Sequence, residues 1–379
     1  MKIAVVGVGA IGSRHAEYLR GSGRQVITVD SNRPADAVDV AAVASRSDID
    51  AWVVATPTAT HLDLVQQLLR LDASARILLE KPACYPHEIS DFARMVRTYS
   101  RARIIVNDVY AHSAAVRSFA RMLHRAAADD PVSRVVVEFT KNRQLDVALG
   151  RFVDTQYGEA GYEWFHLLTL LRAMLQPGTY ETYLRTAPMS ITPEMRVRTA
   201  GSGLPDIELY ASTSGRISFG ELAGHAFTSA CAQRQISLGQ IPYGSSLRYR
   251  FAHAELESGA QLTLVFEPNY RTESDYKNRH EIYLRGLPGN EAGRSVVVTG
   301  NHLRRALMAQ LGALLRGSAS TSQLRLPEHR HMAMLARTVD STGTLVTSDA
   351  PSMSATPGSS AASGMPCIFG APATYRADR

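Results

Sequence analysis

The stretch that decides the fold is KIAVVGVGAIGSRHAEYLRGSGRQVITVD, residues 2–30. It begins with an apolar run typical of a buried strand, continues into a segment with helical periodicity, and ends in a second β-rich run. Gly7, Gly9 and Gly12 stand between the first run and the helix in the spacing G-x-G-x-x-G. This arrangement predicts a tight turn whose backbone N–H groups, at the start of a helix, can bind a pyrophosphate.

An acidic residue at the end of the second run completes this pattern. Asp30 follows Gly12 by 18 positions, and its carboxylate is predicted to accept hydrogen bonds from the adenosine ribose of a dinucleotide. The prediction favours NAD, because a 2′-phosphate would meet like charge at Asp30, whereas Arg33 could pair with that phosphate in NADP. Ala10 and Ile11 lie in the same turn and complete this part of the predicted cofactor site.

The pattern of elements changes once along the chain. Up to about residue 121, β-rich runs alternate with amphipathic segments, which predicts a doubly wound parallel sheet of the α/β Rossmann type. The 20 residues between Asp30 and the third run leave room for an abbreviated connection only. From residue 122 to 341, most β-rich runs follow one another without long helices, which predicts an α+β domain with a large open, mostly antiparallel sheet. Residues 342–379, rich in Ser, Ala, Gly and Pro, are expected to form a flexible or loosely docked tail.

The composition narrows the class of protein. The 379 residues are 45% hydrophobic and carry a net charge of +6, and the scattered arginines form no basic run, so nucleic-acid binding is not expected. No apolar stretch approaches the roughly 20 residues that span a bilayer, which favours a cytoplasmic location. Cys84, Cys231 and Cys367 are odd in number and far apart, so reduced thiols are expected. His329 and His331 do not share a helical face, and no metal site is predicted.

Polar residues follow the third and fourth β-rich runs. The third run, AWVVAT, leads into ATPTATH (residues 55–61), and the fourth, RILLE, leads into EKP (residues 80–82). Because ligands of an open parallel sheet bind beyond the carboxyl ends of its strands, these side chains should converge near the nicotinamide half of the cofactor. The residues nominated for this contact are Thr56, Pro57, His61, Glu80 and Lys81.

The motifs GVGAIG, ATPTATH and EKP, followed by a later helix that carries a histidine, resemble the Gfo/Idh/MocA family of glucose–fructose oxidoreductase and inositol dehydrogenase. The resemblance covers about residues 1–335. It implies an NAD(P)-binding domain and an α+β domain whose open sheet often forms the interface of a homo-oligomer. It also implies that Lys81 contacts cofactor and substrate, and that His166 acts as acid/base or orients the reacting hydroxyl.

One position departs from the family pattern. Members of the family commonly carry an aspartate four residues before the histidine, on the same helical face. Here Tyr162 occupies that position and Glu163 follows it. A tyrosine hydroxyl can relay a proton, and a carboxylate three residues before His166 can reach the same face, so both stay candidates, with Tyr162 slightly ahead.

Further polar residues lie at strand ends or in loops that face the inferred cleft, which is where ligand contacts are concentrated. Recognition of substrate hydroxyls would suit an amide, a phenol or a guanidinium in such positions. The predicted substrate contacts of this kind are Asn107, Tyr110, Lys141, Arg143 and Tyr157.

The predicted reaction is hydride transfer between nicotinamide and a secondary alcohol or ketone of a sugar, cyclitol or related polyol, the substrate class that the resemblance implies. Lys81 would stabilise the developing alkoxide, and His166, alone or in a relay with Tyr162, would take the proton. Two alternatives stay open: elimination or hydrolysis through a transient oxidation, and a non-catalytic dinucleotide-binding sensor. The presence of both Lys81 and His166 weighs against the sensor.

Overall fold

The computed structural model describes residues 1–44, 48–149, 156–192, 194–268, 278–287 and 293–341. The strands of this part are β1 (Lys2–Val6), β2 (Gln25–Val29), β3 (Ala51–Val54), β4 (Arg76–Leu79), β5 (Arg103–Val106), β6 (Val132–Thr140), β7 (Ser190–Ile191), β8 (Arg196–Gly201), β9 (Leu204–Ser212), β10 (Tyr249–Leu256), β11 (Gln261–Phe266), β12 (Arg279–Arg285) and β13 (Arg294–Thr299). Its helices are α1 (Ala10–Arg20), α2 (Val40–Ala44), α3 (His61–Leu71), α4 (Ile89–Thr98), α5 (Ala114–Ala126), α6 (Gln144–Ala148), α7 (Ala160–Met174), α8 (Pro177–Arg185), α9 (Gly220–Ala223), α10 (Ala230–Ser237), α11 (His302–Arg316) and α12 (Leu326–Ser341).

The first sheet, sheet A, has the predicted Rossmann arrangement. Its strands run parallel in the order β2-β1-β3-β4-β5. Every residue of β3 is buried, because helices cover both faces of the sheet. α1 and α11 pack on one face around Ile3, Val5 and Leu78, and α3 and α4 pack on the other. The five residues of α2 confirm the abbreviated connection before β3.

The second sheet, sheet B, has the order β13-β12-β11-β10-β6-β9-β8-β7. β6 and β9 run parallel, and the other neighbouring strands of the described sheet are antiparallel, which confirms the predicted mostly antiparallel sheet. α5 and α7 pack on one face, which we call the inner face. α9 and α10 cover part of the outer face, where Tyr249 and Phe251 are buried.

Two helices, α5 and α11, do not follow the predicted division of the chain into two domains. The predicted boundary after residue 121 falls inside α5, which packs on sheet B. α11 belongs to the predicted second domain, yet it packs on sheet A beside α1 through Leu307, Leu311 and Leu314. The domain boundaries therefore stay a prediction, and the predicted tail, residues 342–379, lies outside the described residues.

A buried ionic network fixes α7 against the carboxyl end of sheet A. Asp108, which follows β5, pairs with Arg172 of α7 and accepts a hydrogen bond from Thr169 at 2.8 Å. Arg172 also pairs with Glu328 of α12 at 2.7 Å. Burial alone would raise the pKa of Asp108, but the charges of Arg172 and Arg325 outweigh it and lower the pKa. The helix that carries His166 is thereby held in one position.

Several elements have weak sequence signals and were not predicted. Two residues separate the end of α7 from α8, which begins at Pro177, and proline is favoured at the first position of a helix. β7, β8, α9 and α10 are short, and their pairing or packing depends on distant segments. In the part of the chain that the structure describes, no helix combines the length and hydropathy that a membrane span requires.

Candidate active site

Glycines let the turn after β1 pack closely against the end of β3. Gly7 has φ +90°, and a Cβ there would lie 2.8 Å from the backbone carbonyl that follows β3. A Cβ on Gly12 would lie 1.8 Å from the carbonyl oxygen of Gly7. Around a Cβ on Gly9, in contrast, no atom of the described chain lies within 4 Å. The turn is therefore closely packed at Gly7 and Gly12 and open at Gly9, next to the start of α1 at Ala10 and Ile11.

Asp30 holds this turn in place. Its carboxylate accepts hydrogen bonds from the backbone N–H groups of Val8 (2.7 Å), Asn32 (2.9 Å) and Arg33 (3.0 Å). Burial alone would raise the pKa of Asp30, but these hydrogen bonds and the charge of Arg33 outweigh it and lower the pKa. The Arg33 guanidinium also lies 3.4 Å from the carbonyl oxygen of Val8. A carboxylate and a guanidinium therefore stand together where the adenosine ribose is expected.

His61 links the two turns at the ends of β3 and β4. Its ring nitrogens lie 2.9 Å from the carbonyl oxygens of Thr56 and Pro82. The side chain is buried, and burial lowers its pKa. Both nitrogens thus contact the protein, and this position favours a structural link over the predicted contact with cofactor. Thr56 is half-buried and Pro57 is exposed at the same edge.

A chain of hydrogen bonds supports the EKP turn. Glu80 Oε1 contacts His15 Nε2 of α1 at 2.8 Å and accepts from the Asn107 amide at 2.5 Å. The Asn107 side-chain oxygen, Oδ1, accepts in turn from Gln310 Nε2 of α11 at 2.8 Å. Burial would raise the pKa of Glu80, but its bonds to His15 and Asn107 and the charge of Lys81 lower it. Asn107 is 1% exposed, so this geometry favours positioning of Glu80 over the predicted substrate contact.

Lys81 reaches from this turn to α7. Its Nζ donates a hydrogen bond to the carbonyl oxygen of Tyr162 at 2.5 Å, across 81 positions of sequence. The contact brings the end of β4 to the first turn of the helix that carries His166. Lys81 is also close enough to His166 for its charge to lower the pKa of the imidazole.

His166 is mostly buried in α7. Burial, reinforced by the charge of Lys81, lowers its pKa to about 4, so the imidazole is neutral at pH 7. Its Nδ1 makes no hydrogen bond within the described chain. The ring packs edge-on against Tyr110, with 4.9 Å between the ring centroids. A neutral imidazole with an unsatisfied nitrogen can accept a proton from a bound hydroxyl.

The two candidate partners of His166 have different surroundings. Burial alone would raise the pKa of Glu163, but Arg143, followed by His166 and Lys81, outweighs burial and holds this pKa below its usual range. Glu163 and Arg143 form an ion pair. The Tyr162 ring lies 5.8 Å from the guanidinium carbon of Arg143 and lines a pocket of about 400 Å³. Glu163 thus acts electrostatically on both Lys81 and His166, which favours the carboxylate over the phenol.

The other residues predicted to contact substrate form hydrogen bonds or ion pairs with other residues of the protein. Tyr110 is 3% exposed, and its hydroxyl accepts a hydrogen bond from Arg250 at 2.7 Å. Tyr157 is fully buried and donates to the carbonyl oxygen of Cys84 at 2.9 Å. Lys141 pairs with Asp146 at 2.7 Å. Burial of the two tyrosines favours structural roles for them.

Other residues of the site escaped the sequence analysis. Asp108 directly follows Asn107 at the end of β5, so the strand-end argument could have found it. His15 and Gln310 lie within helices and gave no signal, because only the folded chain brings them to Glu80. Arg248 and Arg250 stand in a strand region where isolated charges usually face solvent.

The sequence analysis predicted no metal site at His329 and reduced thiols at the cysteines, and the structure shows the surroundings of these residues. His329 is buried, accepts from the Ala83 N–H at 2.9 Å and contacts the Arg325 carbonyl through Nδ1 at 2.7 Å. Within the described residues, no three His, Cys, Asp or Glu side chains form a candidate metal site. Cys84 is a buried thiol whose pKa burial raises to about 12, and Cys231 is an exposed thiol. Cys367 lies outside the described residues.

Comparison with known proteins identifies the N-terminal part. Residues 1–107 match the model of the Gfo/Idh/MocA oxidoreductase family, which is described by its NAD-binding Rossmann fold. This part of the chain belongs to that family. The oxidoreductase thus uses a nicotinamide dinucleotide, as the glycine turn and Asp30 predicted. A search of curated protein sequences gives no significant match.

Solved structures resemble this oxidoreductase over most of its length. KijD10, a 3-ketoreductase from Actinomadura kijaniata solved with NADP and TDP-benzene, has a TM-score of 0.62 at 13% identity, covering 90% of this chain and 97% of its own. The WlbA dehydrogenase from Thermus thermophilus, solved with NAD and UDP-GlcNAcA, has a TM-score of 0.53 at 14% identity, covering 89% and 93%. UDP-N-acetylglucosamine 3-dehydrogenase GnnA from Acidithiobacillus ferrooxidans has 0.54 at 16% identity, covering 89% and 96%. At these identities the likeness shows a shared fold.

The cradle fits a dinucleotide in this oxidoreductase. Side chains at Gly7 and Gly12 would collide with backbone, whereas the space beside Gly9 is open toward the first N–H groups of α1. Backbone N–H groups at a helix start favour a bound pyrophosphate. The Asp30 carboxylate lies beside this turn, where ribose hydroxyls can donate to it.

Proposed function

We propose that this enzyme transfers a hydride between nicotinamide and a secondary alcohol or ketone of a sugar, cyclitol or related polyol. The supporting observation is the contact of Lys81 with the first turn of α7, the helix in which neutral His166 lies. The similar solved proteins include a 3-ketoreductase, a dehydrogenase in complex with UDP-GlcNAcA and a UDP-N-acetylglucosamine 3-dehydrogenase, which supports a sugar as substrate. When bound, the nicotinamide supplies hydride acceptance or donation.

Lys81 and His166 have different roles toward the substrate hydroxyl. The Lys81 ammonium stabilises negative charge that develops on the oxygen as the carbon–hydrogen bond breaks. His166 accepts the hydroxyl proton, and its lowered pKa keeps it in the accepting form at pH 7. In the reverse direction His166 returns the proton to the carbonyl oxygen.

Glu163 stabilises the protonated form of His166. Its carboxylate raises the pKa of His166, against the larger effects of burial and of Lys81. The ion pair with Arg143 keeps Glu163 charged and fixes its position. In this proposal Glu163 supplies the charge that the family aspartate would supply, and Tyr162 contributes its carbonyl to Lys81 and its ring to the cleft wall.

The test is a panel of sugars, cyclitols and their keto forms, assayed at the nicotinamide absorbance with NAD and NADP separately. We expect turnover that Lys81→Met lowers about 100- to 1,000-fold in kcat, because the variant removes the charge that stabilises the alkoxide. Cofactor binding, measured by fluorescence titration, should persist in that variant. Unchanged turnover in Lys81→Met would contradict the assignment.

Arg294→Ala is the matched control, because it removes the charge of an exposed side chain on β13.

Product analysis separates the alternative functions. Loss of substrate without accumulation of NADH would indicate elimination or hydrolysis through a transient oxidation. Dinucleotide binding without turnover of any panel member would indicate a sensor.

The cofactor preference is proposed to be NAD. Asp30 presents a carboxylate beside the glycine turn, which disfavours a 2′-phosphate, although Arg33 stands close enough to offset part of that charge. Arg33→Ala should therefore leave KM for NAD nearly unchanged and raise KM for NADP. An equal rise for both cofactors would show that Arg33 supports the turn instead.

We further propose a homo-oligomer formed through sheet B, as the family resemblance implies. Val297 on β13 is a large apolar side chain that is 42% exposed. Light scattering on a gel-filtration column measures the mass directly. A monomer at micromolar concentration would rule out this assembly.

A further inference from the structure

Four basic residues lie at one end of the inner face of sheet B. Arg250 pairs in register with Phe139, and both contact Tyr110 on the inner face. Side chains alternate between the two faces of a strand, and Tyr249 packs on the outer face. Arg248, which precedes β10, therefore lies on the same side as Arg250. By the same alternation, Lys141 and Arg143 follow Phe139 on the inner side of the neighbouring strand.

Three of these four cations have carboxylate partners. Lys141 pairs with Asp146, Arg143 with Glu163, and Arg250 with Glu267 at 2.7 Å. Arg248 is exposed and makes neither an ion pair nor a hydrogen bond within the described residues. The side chain that lacks a partner is thus the one that a ligand can reach.

The environment of Arg248 places it beside the proposed reaction site. The neighbouring charge of Arg250 is the largest influence that lowers the pKa of Arg248, and Glu163, Tyr110 and Arg143 also act on it electrostatically. Glu163 and Tyr110 are the residues that flank His166. Two guanidinium groups of like charge, side by side on one strand face, are stabilised by an anion between or beside them.

We propose that Arg248 binds an anionic group, a carboxylate or a phosphate, carried by the sugar whose hydroxyl reacts at Lys81 and His166. The proposal rests on the function proposed above and narrows its substrate class to acidic or phosphorylated sugars. A guanidinium presents paired N–H donors that match two oxygens of such a group.

The experiment compares neutral and anionic forms of the same sugar. Glucose, glucuronate and glucose 6-phosphate are assayed with the wild type, Arg248→Ala, Arg248→Lys and Arg294→Ala. The uronate and phosphate arms distinguish the two kinds of anion. Hydrogen bonds to charged groups are strong, so we expect the wild type to prefer one anionic sugar over glucose by about 10- to 100-fold in kcat/KM.

Arg248→Ala should remove this preference through KM, with kcat for each sugar unchanged and KM for glucose unaffected. Arg248→Lys should restore part of the preference, because it keeps the charge but not the paired donors. Arg294→Ala should match the wild type, since its charge lies on the edge strand β13, three strands away from β10. Added salt should raise KM for the anionic sugar only.

Equal use of glucose and both anionic sugars, or an equal loss for all three in Arg248→Ala, would overturn the proposal while leaving the hydride transfer intact. Absence of turnover with every sugar would instead count against the proposed function. In that case, calorimetric titration of the NAD-loaded protein with glucuronate and glucose 6-phosphate decides. Binding to the wild type that Arg248→Ala loses supports the anion site, and no binding to either protein overturns it.

Discussion

Two regions make up the proposed site, and they are built differently. The cofactor edge consists of the glycine turn at residues 7–12, Asp30, and the turns at residues 55–61 and 80–82. The substrate side consists of α7 with the basic residues of the inner face of sheet B. Close approaches between backbone segments shape the cofactor edge, whereas ion pairs between side chains of distant segments shape the substrate side.

This difference determines what each region tolerates. At the cofactor edge, backbone approaches backbone so closely that an added methyl group has no space. On the substrate side, charges are balanced through ion pairs between segments far apart in sequence, and a single substitution changes the pKa or the partner of a neighbour. Steric changes should therefore disrupt the first region, and electrostatic changes should tune the second.

The largest effect is expected at Gly12. In Gly12→Ala the Cβ would lie 1.8 Å from the carbonyl oxygen of Gly7, so the turn must move. We expect cofactor affinity to fall by more than about 100-fold, with a lower melting temperature. Gly9→Ala meets no atom within 4 Å and should leave the melting temperature unchanged. Equal destabilisation by both variants would contradict the steric explanation.

The junction of the two regions should be the next most sensitive. Arg172→Ala leaves Asp108 and Glu328 buried without their shared cation, which should lower the free energy of unfolding by about 3–5 kcal/mol. Urea unfolding measures this change. The control is Arg198→Ala, which breaks an exposed ion pair with Asp206 on sheet B and should leave stability within error of the wild type. Similar losses in both variants would show that burial does not distinguish them.

Asn107 tests the support of the EKP turn. Asn107→Ala removes the amide between Glu80 and Gln310 and leaves buried polar groups unpaired, so we expect a loss of about 1–3 kcal/mol in the free energy of unfolding. Because Glu80 precedes Lys81, kcat should fall as well, while the exposed control Asn32→Ala should unfold like the wild type. A variant as stable as the wild type would mean that this chain of hydrogen bonds contributes nothing.

The smallest effect is a shift in the pKa of His166, followed by NMR of its ring protons. Lys81→Met removes a cation and should raise this pKa by about one unit from its value of about 4, and Glu163→Gln removes an anion and should lower it. In the wild type, kcat/KM should stay level above about pH 5 and fall below it, because the accepting form of His166 is lost on protonation. A shift in the same direction in both variants would contradict the proposed electrostatics. His166→Gln assigns the resonance.

By itself the sequence determined the Rossmann sheet, the antiparallel second sheet and the cofactor, because these depend on local features. Strand and helix periodicity, the glycine spacing and Asp30 all lie within short stretches whose geometry follows from neighbouring residues. The EKP turn likewise led to Lys81, since the ends of parallel strands share one edge.

Only the tertiary structure decided which charges meet. Nothing local indicated that Gln310 contacts Asn107, that α11 covers sheet A, or that Arg248 stands without a carboxylate partner in the described chain. Tyr157 and Asn107 looked accessible at loop and strand ends, yet the fold buries both. Contacts of this kind depend on how distant segments pack, and the hydrophobic and polar pattern of one segment does not specify its partner.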